Sequence, residues 1–132
     1  MSKHFPYDLQ PIRIPPLWNV THNTWFEVDP TPETMEWFNE SMMLGIQSSD
    51  GQYFIDLTFT PENDPNGNFL PVFYKRDESK SKNAPNAWIP IGGGPHKNRA
   101  DAVQSIEEFM AEIWQNTTPQ FRKGLENGSG AG

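Results

Sequence analysis

An α+β domain is the fold class this sequence predicts, an antiparallel sheet of about four to five strands with two helices packed on one face. Three observations carry that expectation. Hydrophobic residues alternate with a period of two on the far side of Asp50-Gly51, a strong short hairpin signal. Pro65-Asn66-Gly67 marks a second reversal of the chain. Between Arg99 and Asn116 the spacing changes to that of an amphipathic helix. Strands joined by tight turns and followed by a helix fit a sheet with helices segregated to one side.

The elements follow in chain order. Residues 1–16 carry four prolines and little periodicity, so they read as an irregular N-terminal arm. "LWNVTHNTWFEV" (17–28) is aromatic and β-branched, as one strand or two short ones would be. In "DPTPETMEWFNESM" Thr31 suits an N-cap and Pro32 the first helical position, and Glu33 and Glu36 favour the positive helix end. Met35, Phe38 and Met42 give this first helix an apolar face. Past Asp50-Gly51, Tyr53, Ile55, Leu57 and Phe59 point to the core, which leaves Phe54, Asp56, Thr58 and Thr60 on the other face. "NFLPVFYKR" (68–76) is the return strand, and Pro71 predicts that it sits at an edge or carries a bulge. A polar loop leads to "AWIPI", a short strand that ends in Gly92-Gly93-Gly94-Pro95. The last helix, Arg99 to Asn116, has Ala102, Val103, Ile106, Phe109, Met110, Ile113 and Trp114 as a wide stripe, with Glu107, Glu108 and Glu112 facing away and Asn98 as its cap. Residues 117–132 are Gly-rich and read as a flexible tail, leaving 17–116 as the single folded domain.

With 132 residues the chain is long enough to close a core without staples. It has no cysteine, which excludes disulfides, thiolate metal sites and cysteine nucleophiles. No leader-like or membrane-spanning apolar run is present, so the expected location is cytoplasmic. The net charge of −7 is unevenly spread: from Ile14 to Tyr74 every ionisable Asp, Glu, Lys or Arg is an acid. Such a stretch is a poor match for nucleic acid or an anionic membrane and a good match for a basic protein. The plainer reading is an acidic protein whose charge keeps it soluble.

Catalytic signatures are weak. His4, His22 and His96 lack metal-ligand spacing, so no metal and no cofactor is expected. "IGGGPHKNRADAV" places glycines before a helix, as in an anion nest, but meets neither the dinucleotide nor the phosphate-loop spacing. A flexible strand-to-helix connection explains the glycines equally. Trp25, Phe26, Trp37 and Phe54 have polar neighbours and are candidate surface anchors.

"WNVTHNTWFEVDP", then "YFIDLTFTPENDPNGNF", then a final amphipathic helix, resemble small bacterial immunity proteins of contact-dependent growth inhibition and related polymorphic toxin systems. The resemblance implies a cytoplasmic protein, monomeric before complex formation, that binds one basic toxin domain, such as a nuclease, and blocks its active site or substrate path without turnover. The partner-binding residues expected are Glu27, Asp29, Asp56, Glu62 and Asp64, with Trp25 and Phe54 as aromatic anchors. The alternatives are a small-molecule-binding α+β module and a minor hydrolase using Asp56 and His22.

Overall fold

The computed structural model describes residues 7–38, 42–81 and 83–116. Five antiparallel strands follow one another as a meander: β1 (Trp18–Asn23), β2 (Leu44–Ser48), β3 (Tyr53–Thr60), β4 (Asn68–Arg76) and β5 (Trp88–Gly93). One helix, α1 (Arg99–Asn116), packs on one side of this sheet.

The turns form where the sequence places them. Gly51 takes φ +74°, and its N–H closes a turn on the Ser48 carbonyl at 2.9 Å. Side chains lock that turn: Ser48 Oγ donates to Asp50 Oδ1 (2.6 Å) and accepts from the Tyr53 N–H (3.0 Å). At the β3–β4 reversal the Gly67 N–H donates to Asp64 O (2.8 Å), while Asp64 Oδ1 accepts from the Asn66 N–H (2.9 Å). A side chain at position 67 would lie 2.7 Å from the Phe59 ring, so the turn folds tightly onto the core only with glycine there.

Alternation along β2, β3 and β4 sorts residues between two faces. On the inner face Leu44, Ile46, Ile55, Leu57, Phe59, Phe69, Pro71 and Phe73 are buried. Helix α1 covers them with Ala102, Ile106, Phe109 and Met110. Phe109 is the keystone of this contact. It stacks on Phe73, with centroids 4.2 Å apart and planes 9° from parallel, and it meets Trp18 and Tyr53 edge-on. The helix begins as expected, with Asn98 Oδ1 accepting from the Asp101 N–H at 2.9 Å.

Pro71 sits in an internal strand rather than at an edge, and the extra residue of the nearby bulge belongs to the neighbouring β5 rather than to β4. Val72 and Phe73 pair with Gly93 and Gly92, but Tyr74 pairs with Pro90, which leaves Ile91 as the extra residue in β5. Opposite Pro71 the chain stays bonded to β4, the Gly94 N–H donating to the Pro71 carbonyl at 3.1 Å. Gly93 has φ +116°, and a Cβ on it would fall 2.1 Å from the Pro71 carbonyl oxygen.

Three expectations are corrected. In place of the first of two expected helices there is a four-residue 3-10 turn, Met35–Phe38, and α1 is the one α-helix among the described residues. Thr34 is the cause. Its N–H donates to Thr31 O and its own carbonyl accepts from the Trp37 N–H, both at 3.0 Å and both three residues apart. Its hydroxyl also donates to Asp29 O (2.7 Å) and accepts from the Thr31 N–H (2.8 Å), which tightens the start further. Phe38 reaches the core from this turn, 4.9 Å from the Phe59 ring, and residues 39–41 of the expected helix lie outside the described residues.

The second correction concerns Glu107, expected to face away. It accepts from the Arg13 N–H at 2.8 Å and so holds the N-terminal arm against the helix. That arm is also paired by a bridge between Leu9 and Phe26, so from residue 7 onward it is built into the fold. The third concerns "AWIPI", whose strand continues through two of the glycines to Gly93. The expected tail, 117–132, lies outside the described residues, as do residues 1–6 of the arm.

Candidate protein-binding surface

Two regions hold the residues singled out from the sequence. The first is the outer face of the sheet, opposite α1. Residues paired across antiparallel strands share a face. Gln47, Phe54, Tyr74 and Pro90 therefore form one row, and Gly45, Asp56 and Val72 form the next. Phe54 lies 6.4 Å from Tyr74 and 6.0 Å from Trp88, ring centre to ring centre. All three rings are half-buried by one another and by the sheet. Beside Asp56, Gly45 leaves room for other side chains. A Cβ there would meet Thr21 Oγ1 at 2.7 Å and the Met42 sulfur at 3.2 Å.

Asp56 is half-buried in these surroundings, and its Oδ1 is buried without a hydrogen-bond partner. Burial pushes its carboxyl above the ordinary carboxylate value. The pairing needed by the hydrolase alternative is not formed at this oxygen, since His22 Nε2 lies 3.4 Å from Thr24 Oγ1 instead.

The second region is the end of the molecule at the β3–β4 turn. Lys97 Nζ donates to Asn66 O at 2.6 Å, and two residues later Arg99 Nε donates to Asp29 Oδ1 at 2.9 Å. These bonds draw the turn bearing Glu62 and Asp64, and the connector bearing Glu27 and Asp29, to the start of α1. Asp8 is attached there too, its carbonyl accepting from the Glu27 N–H. Glu33 and Glu36 lie on the same connector, and Asp101 is in the first turn of α1. Acids thus outnumber Lys97 and Arg99 at this end. At the opposite end Asp50, Asp77 and Glu78 are balanced by Lys75, Arg76 and Lys80. Asp77 is held below the ordinary value by the Ser79 hydroxyl (2.6 Å) and the Ser79 N–H (3.0 Å).

The expected anchors are sorted by this layout. Trp25 is 1% exposed and packs on Phe69, so it is a core residue and offers nothing to a partner. Phe26 is also buried, and Trp37 packs edge-on against it and against Tyr7. Sequence neighbours misled here because the polar residues around Trp25 turn outward while the ring turns in. Phe54 does lie on an open face, and it brings Tyr74 and Trp88, which the sequence reading passed over. The signal was present: Leu70, Val72 and Tyr74 alternate with the buried Phe69, Pro71 and Phe73. The four end acids, Glu27, Asp29, Glu62 and Asp64, are gathered; Asp56 is apart from them, mid-sheet.

The glycine run does not form an anion cradle. The Gly94 N–H is spent on the Pro71 carbonyl (3.1 Å), and His96 exchanges both backbone bonds with Phe69 at 2.8 Å. Between β5 and the second half of α1 an open groove is lined by Ile91, Phe109, Ile113, Glu108 and Glu112. Among the described residues no group of three or more His, Asp or Glu could hold a metal ion, and no helix is long and apolar enough to cross a membrane. The chain matches no family model, no curated protein and no solved structure.

Proposed function

We propose that this protein is an immunity protein, a stoichiometric inhibitor that binds a basic toxin domain and covers its active site or substrate path. The observation that carries the reading is the polarity of charge between the two ends of the sheet. Glu27, Asp29, Glu62 and Asp64 lie on the two segments tied to the start of α1, while at the far end Asp50, Asp77 and Glu78 have Lys75, Arg76 and Lys80 beside them. Carboxylates arranged in this way stand in for substrate phosphates against the Arg and Lys of a nuclease. Their field raises the rate of productive encounter by roughly 10–10³-fold. Asp29 contributes less than its exposure suggests, because Arg99 already shares its charge. The inhibition needs no chemistry from the chain; it needs a surface that arrives quickly and leaves slowly.

Surface plasmon resonance against the co-encoded toxin domain, at low and high salt, tests the reading. Glu62→Lys with Glu27→Lys is expected to slow association about tenfold at low salt, and the difference shrinks as salt screens it. Absence of binding by the wild-type protein, or binding that rises with salt and ignores both reversals, overturns the proposal.

A further inference from the structure

The outer face of the sheet holds an acid that the free protein leaves without a counter-charge. Asp56 Oδ1 is buried and makes no hydrogen bond, although the residue itself is partly open to solvent. The other groups on this face that could answer it are placed elsewhere. His22 is turned to Thr24 Oγ1. Arg76 lies on β4 four residues beyond Val72, the partner of Asp56, a separation of about 13 Å along an extended strand. Tyr74, diagonal to Asp56, brings a ring and no positive charge.

On one side of Asp56, Thr21 and Met42 fill the space over Gly45, and on the other side its neighbours are aromatic. Phe54 is two residues before it on the same strand face, and the Phe54, Tyr74 and Trp88 rings touch in series. An acid next to a run of aromatic rings, on a sheet face that no described element covers, has the chemistry of a receptor for a cation. We propose that this face docks the partner protein by receiving one of its arginine side chains between Asp56 and the adjacent Phe54 and Tyr74 rings. A guanidinium is suited to such a place. It is planar and weakly hydrated, it stacks on aromatic faces, and it donates charge-assisted hydrogen bonds to a carboxylate. A lysine ammonium is strongly hydrated and loses more on entering a half-buried site. The free carboxylate carries a desolvation cost that the arriving cation offsets, so the contact forms at an acid already stripped of part of its water.

The inference rests on the immunity reading for the identity of the partner, but its chemistry is testable without one. N-acetyl-arginine methylamide is titrated into the ¹⁵N-labelled protein, beside the uncharged citrulline analogue and the lysine analogue. The expected result is chemical-shift change at Phe54, Asp56, Val72 and the Trp88 indole with the arginine probe alone, lost in the isosteric Asp56→Asn. No shift, or equal shifts with citrulline, with lysine or in Asp56→Asn, overturns it. Against the co-encoded toxin domain, Asp56→Asn and Phe54→Ala are each expected to speed dissociation by tenfold or more, about 1.4 kcal/mol. Toxin binding that weakens with Glu62→Lys but ignores Asp56→Asn and Phe54→Ala keeps the immunity reading and overturns this one. Arginine-probe binding without toxin binding does the reverse.

Discussion

On β3, adjacent residues lead to opposite fates. Ile55, Leu57 and Phe59 turn inward under α1 and are sealed from solvent; Phe54, Asp56 and Thr58 turn outward to a face that no described element covers. Both faces carry aromatic rings, but the inner ones are fixed from two sides and the outer ones from one. The difference separates what holds the fold from what the fold displays. A face covered by a helix gains stability with every buried carbon. A face left open keeps rings and an uncompensated acid that do little for stability, and that combination is what the proposed docking of a partner uses.

The largest expected effect lies on the inner side. Ile106 is fully buried at the centre of the helix stripe. Ile106→Asp would place a carboxylate under the sheet with no partner, and more than about 4 kcal/mol is expected. For a domain of ordinary stability this means loss of the folded state, which far-ultraviolet circular dichroism and thermal melts would register. A normal melt would show that α1 is not part of the core, and the contrast between faces would collapse.

A matched pair of ring deletions then measures the contrast directly. Phe109→Ala removes the ring stacked on Phe73 and touching Trp18 and Tyr53, with an expected cost of about 3–5 kcal/mol. Phe54→Ala removes a half-buried ring with cross-strand contacts only, and about 1 kcal/mol is expected. Equal costs by urea denaturation would mean that the outer face is as structural as the inner one. Between these two lies Gly93→Ala, at about 1–3 kcal/mol. The added methyl combines a left-handed backbone angle with a collision at Pro71 O.

How far the sequence foretold this layout depends on the range of the interaction. Period-two alternation announced the inward set on β3, and helical spacing with Asn98 announced α1 to the residue, because both patterns are local. The Asp50-Gly51 turn was equally plain. The first helix failed because Thr34 bonds to Asp29 and Thr31 within its own segment, and a hydroxyl that closes a tighter turn overrides an apolar period. Trp25 failed because its environment is set by Phe69, 44 positions away in the chain. The placing of Glu27, Asp29, Glu62 and Asp64 at one end rested on Lys97 and Arg99, cations that lie beyond the acidic stretch and that the sequence shows only as part of the glycine-rich connection and the helix start. Charge counting found the acids; only the fold could say which of them share an end.

The smallest expected effect has the opposite sign, and it is the sharpest test of the outer face. Burial raises the folded-state pKa of Asp56 above its ordinary value, so the folded protein binds that proton more tightly than the unfolded chain does. Stability then declines as pH climbs from the unfolded pKa to the raised one. Above the raised value the cost of the buried charge is present in full, and below the unfolded value it is absent. Asp56→Asn keeps the shape and removes the charge, so it is expected to raise the melting temperature at neutral pH. Asp77, held low by Ser79, tilts the opposite way in acid, and it is common to both proteins. Subtracting the melts of wild type and Asp56→Asn across the acid range therefore isolates Asp56. A difference that grows as pH rises through the raised pKa and then levels off identifies an acid kept at the expense of stability. A flat difference, or a variant that melts lower at neutral pH, would mean that Asp56 is satisfied in the free protein and has no need of a cation from outside.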